Sequence, residues 1–193
     1  GASPEKLFSF NKPYLTLEAI AGTVSSDVNS NSLLESSKDV KEHNYVIQYL
    51  IQCLEVLKIK NYSKGALKVT SFGDISHLQT LVCSKVDKVC LFDLLSILHP
   101  SPAVCGYPKK EALKWINTLE SFSRQNYASP IGWVDSEGNS EFRVAIRGVR
   151  CIDQKLEFTA GSGIVKGSIA KNEIEEIKLK FRSLVKQIFF VKT

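Results

Sequence analysis

The chain has 193 residues, 44% of them hydrophobic and 23% charged, and a formal net charge of +5. That length can bury a sizeable core as one large domain or two small ones, and the composition is that of an ordinary globular protein. No apolar run approaches the roughly 18 residues of a membrane span, and the lysines are scattered rather than gathered into a nucleic-acid footprint, so neither a membrane nor a nucleic acid is expected as a partner. The cysteines (Cys53, Cys83, Cys90, Cys105 and Cys151) lack CxxC spacing and read as free thiols in a reducing compartment. No signal or transit leader is visible, which points to the cytoplasm with a plastid left open. With no Met at position 1 and an abrupt GASPEKL start, the chain reads as a fragment or a processed piece.

Lys6 to Phe10 reads as a strand, Asn11–Lys12–Pro13 as a turn, and Tyr14 to Ala19 as the return strand, running on through Ile20–Ala21–Gly22–Thr23. Glu5 and Gly22–Thr23 then share one end of a hairpin, although position alone makes Glu5 a solvated turn residue. Residues 24–35 are rich in Ser and Asn and read as a loop. A helix is expected from about Ser36 to Lys58, capped by Ser36 or Ser37, with Val40, Ile47, Leu50, Ile51, Leu54 and Leu57 as its apolar stripe. Asp39 and Glu42 lie three apart on one face, where early acids ordinarily partner the helix dipole.

Leu67 to Ser71 and Ile75 to Val82 read as strands. The second carries His77, and a lone histidine is more often structural than catalytic. Val89 to Leu98 is a short apolar helix that ends in His99–Pro100–Ser101–Pro102–Ala103, a turn stiffened by two prolines. Pro108 opens a helix to about Arg124, with Ala112, Leu113, Ile116 and Leu119 as its stripe. The segment from Tyr127 to Val165 reads as β. Ile131 to Val134 and Phe142 to Ile146 flank the hairpin turn DSEGNSE, Arg147 ends the second strand, and Leu156 to Thr159 follows the turn at Gln154.

That last strand delivers Ala160–Gly161–Ser162–Gly163, a small-residue turn whose backbone N–H groups can hold an anion. A helix follows from about Asn172 to Ile188, with Ile174, Ile177, Phe181, Leu184, Val185 and Ile188 as a core stripe. Spacings of three and four put Glu173, Glu176 and Lys180 along one face, at the edge of that stripe. They could be plain helical ion pairs. Beside an anion-friendly turn, they would also suit an anionic substrate held through a divalent metal.

GASPEKL, IAGT, SSKDVKEH, SHLQT, HPSPAVCGYPKKEAL, IGWVDSEGNSEFRVAIR, AGSGIVKGS and EIEEIKLK occur in that order over the whole chain. Together they resemble the chorismate-utilising enzymes. HPSPAVCG is similar to the isochorismate synthase type, whereas amine-transferring members of the family usually carry Thr where this chain has Ala103. The resemblance implies an α+β fold of large antiparallel β-sheets packed with helices. Residues 1–193 would form the C-terminal part of a single chorismate-binding domain, with the N-terminal part of the same enzyme as the missing partner. It also implies magnesium-dependent conversion of chorismate to isochorismate, by addition of water at C2 and loss of the C4 hydroxyl. Salicylate synthase is the same-fold alternative. A non-catalytic binding module is the other, since the family's water-activating Lys falls upstream of GASPE.

Carried over by motif, the resemblance makes Glu42 and Glu176 direct magnesium ligands, with Asp39 and Glu173 as further ligands or partners through water. Glu5 resembles the general acid that protonates the departing hydroxyl, and His77 the histidine beside the ring carboxylate and metal. Tyr127, Arg147, the backbone of Gly161, Ser162 and Gly163, and Lys180 resemble the clamp on the substrate's carboxylates. Gly22 and Thr23 would line the ring side. Ser25–Ser26 stand where basic residues are common after the AGT motif, and Ser162 stands where Ala is common.

Overall fold

The computed structural model describes residues 1–25 and 30–189. Alternation of apolar and polar residues builds the first hairpin, β1 (Lys6–Asn11) and β2 (Tyr14–Ser25). Its register pairs Phe8 with Leu17 and Phe10 with Leu15, so these buried side chains share one face. Between them come no long loops, and β2 continues well past its partner.

A short helix, α1 (Ser32–Glu35), leads into the long helix α2 (Ser37–Val56). Ser36 caps α2 by accepting a hydrogen bond from the Asp39 N–H at 3.2 Å. The helix buries Val46, Ile47, Tyr49, Leu50, Cys53 and Leu54 in the same cluster as the hairpin's apolar face. Each such side chain contributes roughly 1.5–3 kcal/mol when fully removed from water.

Three strands follow: β3 (Tyr62–Lys64), β4 (Lys68–Phe72) and β5 (Ile75–Lys85). β5 runs antiparallel along β2, and β3 and β4 both pair with its other edge. The helices α3 (Leu91–Leu98), α4 (Pro102–Cys105) and α5 (Lys109–Leu119) come next, with Leu94 and Leu98 of α3 closing the core. β6 (Pro130–Val134) and β7 (Ser140–Val144) then form a hairpin whose second strand pairs with β1. The seven-stranded sheet therefore runs β3-β5-β2-β1-β7-β6, with β4 also on β5. A separate hairpin, β8 (Val149–Ile152) and β9 (Lys155–Phe158), precedes the last helix, α6 (Ala170–Phe189). This is an α+β architecture with an antiparallel sheet packed by helices. No helix among the described residues is long and apolar enough to cross a membrane.

Several expectations are corrected. The stretch 24–35 is not wholly loop: β2 runs to Ser25 and α1 buries Leu33, while residues 26–29 lie outside the described residues. β3 was not anticipated, because it is a short strand fixed by its partner rather than by its own pattern, and β8 falls in the segment read as β without being marked off as a strand. β7 ends at Val144, and Arg147 stands beyond it in a left-handed backbone conformation at φ 53°. α5 ends at Leu119 and buries none of its stripe. The stripe of α6 holds in part: Leu184 is buried and Ile177, Phe181 and Ile188 are half-buried, whereas Ile174 and Val185 are turned out and Glu173 is buried. The side of α6 that packs inward is the one facing the acidic residues of α2.

Candidate active site

The end of the sheet that carries Glu5 and Gly22 is a cleft of about 160 Å3. It is lined by Glu5, Gly22, Thr23, Glu42, His77, Tyr127, Arg147, Gly161, Ser162, Gly163, Glu176 and Lys180, which arrive from two strands, two helices and the connections between elements. Asp39 and Glu173 do not line it. Asp39 packs behind Gly22, and Glu173 is buried one turn from Glu176.

The backbone positions the histidine. The β2–β5 register shifts between Ala21 and Val24, and Gly22 sits at φ 72°, where a Cβ would meet the Asp39 Cβ at 3.0 Å. This bulge turns the Gly22 carbonyl toward His77, whose Nδ1 lies 2.8 Å from it. A carbonyl only accepts, so Nδ1 carries the proton and Nε2 is left as an acceptor. The Arg147 guanidinium donates to it, with Nη2 at 3.2 Å from Nε2. Burial pushes His77 down to about 4, opposed by the Gly22 hydrogen bond and reinforced by Arg147 and Lys180. His77 is therefore neutral and has no free lone pair. It is placed to orient Arg147 rather than to carry a proton.

Glu5 is 9% exposed, at the start of β1. Burial raises its carboxyl to about 7, and the Ser101 hydroxyl, which donates to Oε1 at 3.3 Å, works the other way. A carboxyl in that range is protonated in a large fraction of molecules at neutral pH, as a general acid requires. Ser101 is the N-cap of α4, yet its side chain makes no capping bond.

Glu42 and Glu176 face each other from α2 and α6. Glu42 is raised to about 7, first by burial and then by the Glu176 charge. A Cβ on Gly163 would lie 2.6 Å from Glu42 Oε1, so the carboxylate occupies the space that this glycine leaves. Lys180 donates to Glu176 Oε1 at 2.7 Å and to the Gly161 carbonyl at 2.8 Å. Lys38 donates to Glu173 Oε1 at 2.7 Å. Burial pushes Glu173 up, but Lys38, helped by the nearby Ser168 and Ser162 hydroxyls, outweighs it and holds the carboxyl below its ordinary range. Its Oε2 is buried with no hydrogen-bond partner.

Among the described residues no three or more His, Cys, Asp or Glu side chains are grouped so as to hold a metal ion by themselves. An open pair of carboxylates beside a buried, unpartnered carboxylate oxygen fits a hard cation that keeps several waters and takes few protein ligands. The set fits magnesium in that sense and offers no soft donor.

The sequence reading missed Glu120 and Arg124, which line the cleft, and Lys38, which lies behind it on Glu173. Arg124 makes a bidentate ion pair with Glu120 at 2.6 and 2.8 Å, donates to the Val104 carbonyl at 2.7 Å, and lies 5.9 Å from the Tyr127 ring centre. The four-residue spacing of Glu120 and Arg124 was a visible signal. Lys38 gave none, because its partner is 135 residues away.

The profile of the chorismate binding enzyme family matches residues 1–189. The vibriobactin-specific isochorismate synthase of Vibrio cholerae is 33% identical over 194 residues, covering 96% of this chain and 49% of that protein. The menaquinone-specific isochorismate synthase MenF of Escherichia coli superposes with a TM-score of 0.84 at 28% identity, over 95% of this chain and 44% of the other. Anthranilate synthase component I of Streptococcus pneumoniae superposes with a TM-score of 0.83 at 28% identity, over 95% of this chain and 42% of the other. The chain thus spans about half the length of the relatives it matches, or less. With that match over nearly its whole length, the chain belongs to the chorismate binding enzyme family.

Proposed function

We propose that this chain is the metal- and substrate-holding part of an isochorismate synthase, which uses Mg2+ and converts chorismate to isochorismate. The observation that carries this reading is the convergence, in one cleft, of a buried carboxyl raised to about 7, an Arg147 held by a neutral histidine, and an open carboxylate pair. The sequences most similar to it include isochorismate synthases that serve different pathways, and the HPSPAVCG segment favours that type over the amine-transferring one.

Glu42 and Glu176 would hold the metal, with Glu173 and Asp39 behind them. When bound, Mg2+ would neutralise the ring carboxylate and help the C4 oxygen to leave. Arg147 grips a carboxylate bidentately, and the backbone N–H groups of residues 161–163 provide a second hold. Glu5 gives its proton to the C4 hydroxyl, which departs as water. The ring double bonds shift as a second water bonds to C2, and that water's spare proton passes to a base. His77 is unsuited to be that base, since Nδ1 already carries a proton and Nε2 accepts from Arg147. The base comes from the half of the relatives' length that this chain does not span. The outward apolar faces of α5, α6 and β6 expose Trp115, Leu119, Ile131, Trp133 and Ile174.

The test is product analysis by NMR after chorismate and Mg2+ are incubated with the full-length protein. Isochorismate alone supports the reading. Salicylate with pyruvate would assign it to the salicylate synthase reaction, and unconsumed chorismate would overturn it.

A further inference from the structure

Two ammonium groups stand among the three carboxylates of this site. Lys180 belongs to α6 and neutralises Glu176, four residues before it. Lys38 is different, because it crosses from the first turn of α2 to reach Glu173 on α6. This ion pair ties α2 to α6 within one turn of Glu176.

The carboxylate that Lys38 meets is out of water. Glu173 is 4% exposed, with Oε1 on Lys38 and Oε2 buried and unpartnered. An exposed pair of this kind would be worth little. Here, removal of the cation would strand a buried charge beside two others, which is strongly unfavourable. The same cation reduces the attraction that the cluster can exert on any other positive ion.

We propose that Lys38 is the resident counter-ion of the carboxylate site: it holds Glu173 and offsets the cluster's charge while no metal is bound, and a divalent cation binds in competition with its ammonium. This rests on the metal reading given above. It makes Lys38 a positioning residue that sets metal affinity, without being a ligand and without touching substrate. The site stays folded when empty, at the cost of weaker metal binding.

Calorimetric titration with Mg2+ alone, at fixed ionic strength, tests this on the wild-type protein, Lys38→Met and Lys38→Arg. Thermal melts in EDTA and in saturating Mg2+ accompany it. Lys38→Met should bind Mg2+ about tenfold more tightly, since one nearby positive charge is gone. It should melt lower than wild type in EDTA, with the difference closing when Mg2+ saturates the site. Lys38→Arg keeps the charge and should stay close to wild type. Mg2+ binding to wild type with equal or weaker affinity in Lys38→Met overturns this proposal alone. Absence of Mg2+ binding to either protein overturns the metal reading and this proposal with it. If Lys38→Met does not fold, wild-type protein with 13C-methylated lysines answers the question. The Lys38 resonance, assigned by its loss in Lys38→Arg, should move as Mg2+ is added, and an unmoved resonance at saturation overturns the proposal.

Discussion

His77 and Arg147 are joined through the one nitrogen of the imidazole that can still accept a hydrogen bond, at 3.2 Å. The other nitrogen is committed to the Gly22 carbonyl. The pair converts a strand bulge into a fixed guanidinium orientation, and Arg147 itself is locked by a left-handed backbone conformation that non-glycine residues adopt only under constraint. His77→Ala should therefore act on substrate holding. KM for chorismate should rise roughly tenfold or more while kcat changes less, as expected when a ground-state contact is loosened. No limb of the pH–rate profile should disappear, because His77 stays neutral down to about 4. A fall in kcat with KM unchanged would assign His77 to proton transfer instead.

The stability of the protein against pH should carry two opposing trends. Glu5 and Glu42 are raised from 4.5 to about 7, each by burial first. Between those values the folded chain keeps a proton that the unfolded chain has lost, so their contribution to stability falls as pH rises. His43 and His77 are lowered from 6.5 to about 4, again by burial first. Between those values the unfolded chain holds a proton that the folded chain refuses, so their contribution rises with pH. Each group accounts for about 3 kcal/mol across its window, as an order of magnitude. Wild-type unfolding free energy, measured by urea titration without metal, should be nearly level from pH 4.5 to 6.5. Glu5→Gln removes one falling contribution, so its stability should climb by about 3 kcal/mol over the same range. Parallel curves for the two proteins would show that Glu5 is not buried as a proton-holding carboxyl.

Two glycines of the anion-friendly turn should behave differently. A Cβ on Gly163 would meet Glu42 Oε1 at 2.6 Å, whereas one on Gly161 would come only to 3.5 Å of the Tyr127 hydroxyl. Gly163→Ala can be absorbed by moving the flexible end of Glu42, so its melting temperature should hold. Its Mg2+ affinity should drop about tenfold or more, as when a ligand's placement is disturbed. Gly161→Ala should keep both. Calorimetry on the two variants checks the contrast, and equal Mg2+ affinity in both would remove Glu42 from the metal site.

Much of this was legible where a residue's role is local. The β1–β2 hairpin, the Ser36 cap and the core face of α2 follow from alternation, capping chemistry and helical spacing. The small-residue turn at Gly161 to Gly163 and the Glu173–Glu176–Lys180 face were readable for the same reason. What stayed hidden depends on contacts distant in sequence. The burial of Glu173 beside an Ile174 at 51% exposure could not be read from the apolar stripe of α6, because it depends on Lys38 reaching across from α2. The neutral state of His77 comes first from burial, and the tautomer it adopts needs the Gly22 carbonyl and Arg147 together, two features distant from each other in sequence. The family resemblance, carried by motifs, named the cleft residues, but it did not give the Lys180 bonds to Glu176 and the Gly161 carbonyl.

The most direct test of the account is the rate of chorismate consumption against pH, measured with Mg2+ on the full-length protein and its Glu5→Gln variant. A group that must be protonated to act loses effect as pH rises through its pKa, so the wild-type rate should decline through about 7. Glu5→Gln should lose about 10²-fold or more in kcat, and its remaining rate should no longer show that decline. A variant that keeps the wild-type rate and the wild-type pH profile would contradict the assignment of Glu5 as the acid, and with it the proposed chemistry of the cleft.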